Sequence, residues 1–305
     1  MVLVPLLVLS HLILDIYFPT FEGLAVGQEN LWNIDFNTIS TVISRAGAFV
    51  LVSLNAILIN YVFNQHEFFE LNNYLPSLVY TLLVFLFPMS LRFGEDLVGH
   101  TFFILAIHHF FNIKQNENAT NSTFLIGFFI GLASTFLPIY IYFLIFVWLG
   151  VISIRPFIWR EFLLPIVGIL TSIIWVFLID QKFYLLFITF DSGLDYSRFG
   201  NILVLIPHVI VLILIFFANR NIIKRRLKSS IRYKRLMGLV IYTLLFSVIS
   251  GSVVLVFFNT YFYFTIGAVI LSIVLPYSYL GAKRKWLATF LFYILIVLNV
   301  VKFMY

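Results

Sequence analysis

The sequence predicts an all-α fold, a polytopic bundle of transmembrane helices that forms one integral membrane domain over residues 1–305. Hydrophobic residues make up 62% of the 305 residues, whereas charged residues make up 10%, against about 25% in typical soluble proteins. The mean hydropathy is +1.05, and apolar runs long enough to cross a bilayer recur along the whole chain. A soluble enzyme of this composition would expose apolar patches far larger than such proteins tolerate. An ordinary soluble enzyme is therefore excluded.

Apolar runs of about 17 to 23 residues predict about eleven membrane spans. They cover residues 2–18, 40–62, 74–90, 97–113, 123–137, 138–153, 162–180, 202–219, 237–257, 261–280 and 287–303. The fifth and sixth spans form one apolar stretch of 31 residues, which Pro138 interrupts. A tight hairpin of two short helices is the favoured interpretation. One kinked, tilted helix is the alternative, and it would reduce the count to ten.

The basic residues are distributed unevenly among the loops. Residues 220–235 contain eight Lys or Arg side chains and no acid, and a second basic cluster, residues 283–285, follows two spans later. With eleven spans, 14 of the 19 basic residues fall on one side of the membrane. The positive-inside rule assigns that side to the cytoplasm. The N-terminus is then expected in the cytoplasm and the C-terminus on the opposite side, with the first span retained because no signal-peptide pattern precedes it.

Two further features of the composition limit the function. The chain has no cysteine, which excludes disulfides, thiol nucleophiles and cysteine-ligated metals. The net charge of +6 is explained by the basic loops beside the membrane, so no nucleic-acid partner is expected. The expected surroundings are the lipid bilayer and other membrane proteins.

The most informative residues are ionisable side chains inside or beside the spans, because lipid makes them costly. Asp15 lies about one turn from the end of the first span, and Arg45 lies at a similar depth in the second. These residues predict either a structural ion pair or a carboxylate and a guanidinium that line an outward-facing pocket.

The turn between the third and fourth spans carries Arg92, Glu95 and Asp96, and His100 follows one helical turn later. Adjacent carboxylates can bind a divalent cation or serve in acid–base chemistry. The alternative is that both acids stabilise the helix N-terminus, where they complement the helix dipole. Polar residues of several helices are thus predicted to converge near the outer leaflet: His11, Asp15, Arg45, Arg92, Glu95, Asp96, His100 and His208.

Several segments, among them residues 72–88, 102–113 and 127–150, resemble a family of uncharacterised multi-pass inner-membrane proteins of Bacteroidota. The most specific piece is the pattern Arg-Pro-Phe-x-Trp-Arg-Glu at residues 155–161. The resemblance implies the inner membrane of a Gram-negative bacterium. Together with the orientation expected from the charges, this places the C-terminus in the periplasm. It implies no catalytic residue.

A more distant similarity is to GT-C glycosyltransferases, which take a sugar from a polyprenyl-phosphate carrier at the outer leaflet. It rests on the span count, on Asp15 and Glu22 around the first outer loop, and on Glu95 with Asp96. The similarity implies that these four acids act as bases or cation ligands on a lipid-linked envelope glycan. Arg45 and Arg92 would clamp the phosphate, with His100 and His208 as further substrate-binding residues.

Two other classes of function stay open. The first is a non-catalytic membrane subunit that scaffolds an envelope or secretion assembly, with the small residues Gly127, Gly131 and Ser134 packing helices. The second is a transporter, which predicts broken helices and paired repeats. The chain shows Pro138 as a break but no repeat.

Overall fold

The computed structural model describes residues 3–17, 36–70, 72–86, 91–115, 118–180, 202–258, 264–280 and 285–301. Within these ranges the protein is helical and has no strand. The helices are α1 (Leu3–Tyr17), α2 (Thr41–Gln65), α3 (Leu75–Phe85), α4 (Glu95–Phe111), α5 (Thr120–Phe136), α6 (Phe143–Ile154), α7 (Trp159–Asp180), α8 (Ile202–Lys228), α9 (Ile231–Phe258), α10 (Phe264–Val274), α11 (Pro276–Leu280) and α12 (Lys285–Val301). Each of the eleven apolar runs contains a helix, which confirms the all-α prediction.

Three helical segments of the described chain are long and apolar enough to cross a membrane. They are Thr41–Gln65, Trp159–Leu178 and Ile231–Gly251. Other apolar helices, such as Thr120–Phe136, are shorter. Large apolar side chains on the outer surface remain exposed, among them Leu178 at 63% and Phe216 at 67%. Such a surface favours lipid over water as its surroundings, and the chain is a membrane protein.

Pro138 ends a helix because its ring removes a backbone donor and clashes with the preceding turn. A short 3-10 segment, Pro138–Tyr142, separates α5 from α6. The guanidinium of Arg155, just beyond the end of α6, donates to the Lys114 carbonyl before α5 at 3.1 Å. The end of α6 therefore lies beside the start of α5, and residues 123–153 fold as a hairpin rather than as one kinked helix.

Helices α4 and α5 run in opposite directions. The rings of Phe102 and Phe136 stack at 6.1 Å, and those of His109 and Phe129 stack at 5.6 Å, so α5 runs antiparallel to α4. The polar residues consequently collect at two opposite ends of the bundle. We call the end where α4 begins the carboxylate end and the end where α4 finishes the basic end.

Glycine allows α5 and α7 to touch along their length. A Cβ atom at Gly127 would lie 2.0 Å from the Pro165 carbonyl oxygen, and one at Gly168 would lie 2.4 Å from the Phe124 carbonyl oxygen. Gly131 faces Ile169 and Ser172 in the same way. Gly127 and Gly131, two of the small residues predicted to pack helices, thus pack against α7 of the same chain.

Candidate functional site

An ion pair joins α1 to α2 at the carboxylate end. The Arg45 Nε donates to Asp15 Oδ2 at 2.8 Å, and Arg45 Nη2 donates to the Asp15 carbonyl oxygen at 3.2 Å. The Asp15 side chain is only 4% exposed, whereas that of Arg45 is 19% exposed. The predicted contact is confirmed, and it leaves one part of the guanidinium open to a ligand.

The two neighbouring acids, Glu95 and Asp96, are the first two residues of α4, and both are completely buried. Gly94 precedes them in an extended conformation and offers no side-chain cap. Free backbone N–H groups and the positive end of the helix dipole stabilise carboxylates at this position. The same arrangement buries two successive carboxyl groups at one helix end.

The turn before α4 is fixed to α2. The backbone N–H of Phe93 lies 3.0 Å from the Ser44 carbonyl oxygen and 2.9 Å from the Ser44 hydroxyl oxygen. Because Ser44 precedes Arg45, the start of α4 lies at the same end of the bundle as the Asp15–Arg45 pair. Arg92 lies in this turn and is partly buried.

A buried polar network continues from the acids into the bundle. His100, one turn after Asp96, has its Nδ1 3.0 Å from the Tyr80 hydroxyl, and both side chains are completely buried. The Asn55 amide donates to the Leu97 carbonyl at 2.9 Å, and the Thr101 hydroxyl donates to Asn55 Oδ1 at 2.8 Å. The network ties α2, α3 and α4 together, and His100 Nε2 has no hydrogen-bond partner among the described residues.

Sequence reasoning missed Asn55 and Tyr80, two members of this network. Asn55 is an amide inside an apolar run, and its energetic cost in lipid was the available signal. Tyr80 offered no signal, because tyrosine is common in apolar helices.

His11 completes this end of the bundle. Its Nδ1–H donates to the Leu7 carbonyl at 2.8 Å, and its ring stacks on Phe85 at 4.5 Å. Glu22 lies outside the described residues, and His208 lies in α8 with a side chain outside them. The structure therefore brings together most of the predicted set: His11, Asp15, Arg45, Arg92, Glu95, Asp96 and His100.

A metal site is not evident from the protein ligands alone. Within the described residues, no group of three or more His, Cys, Asp or Glu side chains is arranged to hold a metal ion. A divalent cation at Glu95 and Asp96 stays a prediction.

The sequence of the chain matches the model of one protein family. The profile of a family of unknown function, DUF6427, matches residues 24–305, nearly the whole chain. The chain belongs to DUF6427. Comparison of this DUF6427 protein with curated proteins and with solved structures finds no match.

The pattern Arg-Pro-Phe-x-Trp-Arg-Glu of this DUF6427 chain contains a buried ion pair at the basic end. Arg155 Nη2 lies 2.9 Å from Glu161 Oε1, and the two side chains are 6% and 2% exposed. Glu161 Oε1 also accepts from the Ala119 N–H at 3.4 Å. The Arg and Glu of the pattern thus fasten the end of α6 and the start of α7 to the start of α5, which is a structural role.

Proposed function

We propose that this DUF6427 protein crosses the inner membrane of a bacterium about eleven times, with the N-terminus in the cytoplasm and the C-terminus in the periplasm. The antiparallel packing of α4 and α5 supports this topology, as does the run 220–235, with eight basic residues, at the basic end. In this orientation the carboxylate end faces the periplasm, and the basic end follows the positive-inside rule.

Within this topology, we propose a GT-C-like transferase that acts on a lipid-linked cell-envelope glycan at the outer leaflet. The observation that supports it is the complete burial of two successive acids, Glu95 and Asp96, at the same end of the bundle as the Asp15–Arg45 pair. Ionisable groups buried in a membrane protein are expensive and mark functional sites by default. Asp15 and Glu22 would complete the acidic set.

The proposed chemistry assigns each group a separate task. A carboxylate, Asp96 or Glu95, takes the proton of an acceptor hydroxyl as its oxygen bonds to the anomeric carbon of the sugar. The bond from that carbon to the carrier phosphate breaks, and the polyprenyl phosphate leaves with the electron pair. Arg45 and Arg92 hold the phosphate through charge-assisted hydrogen bonds. A divalent cation on the two acids would stabilise the same leaving charge.

Asp96→Asn tests this proposal, since it removes the charge and nearly preserves the shape. Loss of a general base is expected to lower transfer by about a hundredfold or more, at an unchanged amount of protein in the membrane. The measurement is mass spectrometry of lipid-linked glycans from cells that lack the gene and carry either the wild type or the variant. Accumulation of a carrier-linked glycan is expected both without the gene and with Asp96→Asn.

The matched control is Glu70→Gln, because the Glu70 side chain is 86% exposed at the basic end. Glu70→Gln is expected to leave the glycans unchanged. An unchanged glycan profile in cells without the gene would contradict the transferase. Loss of the Asp96→Asn protein itself, with normal glycans per remaining molecule, would instead assign Asp96 to stabilising the helix N-terminus.

A further inference from the structure

Two neighbouring cavities open at the basic end, opposite the carboxylate end. The first has a volume of about 350 Å³ and lies between the end of α4, the end of α6 and the start of α9. The second, also about 350 Å³, lies between α6, α8 and α9. Ile154, Ile231 and Arg235 line both cavities, so Arg235 stands at their junction.

Positive charge dominates the two cavities. Five cationic side chains and no carboxylate line them: Lys114, Arg226, Arg232, Lys234 and Arg235. Two of the described acids at this end are already paired with arginine. Glu161 is paired with Arg155 at 2.9 Å, and the exposed Glu67 stands 3.7 Å from Arg232. The cavities thus present a net positive field to a ligand.

His66 places a buried ring nitrogen in the lining of the first cavity. It follows the end of α2, is 6% exposed and lines the cavity. Its Nε2 is buried and has no hydrogen-bond partner among the described residues. Burial, His108 and Arg232 lower the pKa of His66 to about 4, so the ring is neutral near pH 7. A bound anion would oppose these effects and favour a protonated ring that donates from Nε2.

The start of α9 adds backbone donors. Ile231 and Arg232, its first two residues, line the first cavity. The first N–H groups of a helix have no partner within it, and together with the helix dipole they favour phosphate. Ser230 caps only the third residue, with its Oγ 3.4 Å from the Tyr233 N–H.

Apolar side chains also line the cavities, next to the polar residues Asn112, Gln115, Ser153 and Tyr242, and they continue toward the lipid-facing surface. Phe111, Leu236 and Leu239 line the first cavity, and Ile241, which is 45% exposed, lines the second. Space for a chain exists beside Gly238, where an added Cβ would have no neighbour within 4 Å. A soluble phosphate would leave this apolar part empty, whereas a phospholipid would fill it.

We propose that the paired cavities bind the phosphate group of an anionic lipid, with Arg232, Arg235, His66 and the start of α9 around the phosphate and the hydrocarbon chain beside Gly238. The site lies at the opposite end from the proposed transfer chemistry and does not depend on it. The source of the phosphate is a lipid of the cytoplasmic leaflet.

Native mass spectrometry of the full chain in mild detergent tests the proposal, with dioleoyl phosphatidic acid as the probe and dioleoyl phosphatidylcholine as the comparison. Retention of phosphatidic acid over phosphatidylcholine is expected. Arg235→Ala is expected to weaken phosphatidic acid binding about tenfold, since it removes a charge-assisted contact. Lys224→Ala is the matched control, because Lys224 is an exposed cation of the same basic segment that lines neither cavity.

A second variant tests the chain-binding part without changing any charge. Gly238→Leu fills the open space and is expected to weaken binding of phosphatidic acid while the protein remains folded. Equal loss in Arg235→Ala and Lys224→Ala would overturn the site, because any surface cation would then suffice. Displacement of the lipid by an equal concentration of glycerol 3-phosphate would overturn the lipid source and indicate a soluble phosphate ligand.

Discussion

Gly127→Ala is expected to remove most of the folded protein from the membrane. The new Cβ would lie 2.0 Å from the Pro165 carbonyl oxygen and 2.5 Å from the Pro165 Cα. Both are backbone atoms, so α5 and α7 must separate along their contact. Overpacking a tight interior costs about 1 to 3 kcal/mol, and a clash with backbone places this variant at about 3 kcal/mol or more.

Gly238→Ala is the matched control for that experiment. Gly238 is also helical, but an added Cβ there meets nothing within 4 Å. Alanine is favoured over glycine inside a helix by about 1 kcal/mol, so this variant should melt at the wild-type temperature or slightly above it. The measurement is thermal melting of both purified variants in detergent. Equal melting temperatures would contradict the close α5–α7 contact.

Breaking the Arg155–Glu161 pair is expected to have the second large effect. Arg155→Met leaves a carboxylate with 2% exposure without its guanidinium, and Glu161→Met leaves the buried guanidinium without this carboxylate. Removal of one partner of a buried ion pair destabilises a protein by about 3 to 5 kcal/mol, whereas apolar replacement of both is often neutral. The double variant should therefore recover most of the lost stability.

Arg160→Met controls for the general effect of removing a cation from this segment. Arg160 is exposed and lies over the ring of Trp159 at 5.6 Å, so its loss should leave the melting temperature nearly unchanged. The melting temperatures of the wild type, Arg155→Met, Glu161→Met and the double variant form a double-mutant cycle. Arg160→Met is a fifth measurement and serves as the control. Additive losses at Arg155 and Glu161 would show that the pair is not coupled.

The helices could be predicted because span-length apolar runs are a strong signal in a membrane protein. The hairpin around Pro138 followed from the length of its apolar stretch and from the charges on either side. The Asp15–Arg45 contact followed from two costly charges at the same depth in consecutive helices. Each of these inferences needs only local sequence and the thickness of a bilayer.

The cavities at the basic end could not be predicted, because their lining comes from distant parts of the chain. The basic run at residues 220–235 was explained by topology alone, and nothing in it shows that Arg235 stands at a cavity. His66 lines a cavity only because the end of α2 lies beside α4 and α9 in the folded chain. Likewise, Gly127 in the sequence indicates that another helix packs closely against α5, but it does not identify that helix.

Single-cysteine labelling tests most directly whether the carboxylate end and the basic end face opposite sides of the membrane. The natural chain has no cysteine, so Ser40→Cys at the carboxylate end and Asn118→Cys at the basic end each add one reporter; both positions are exposed. With a membrane-impermeant maleimide on intact spheroplasts, we expect labelling at residue 40 only, and at residue 118 only after lysis. Labelling of both residues from the same side would contradict the account.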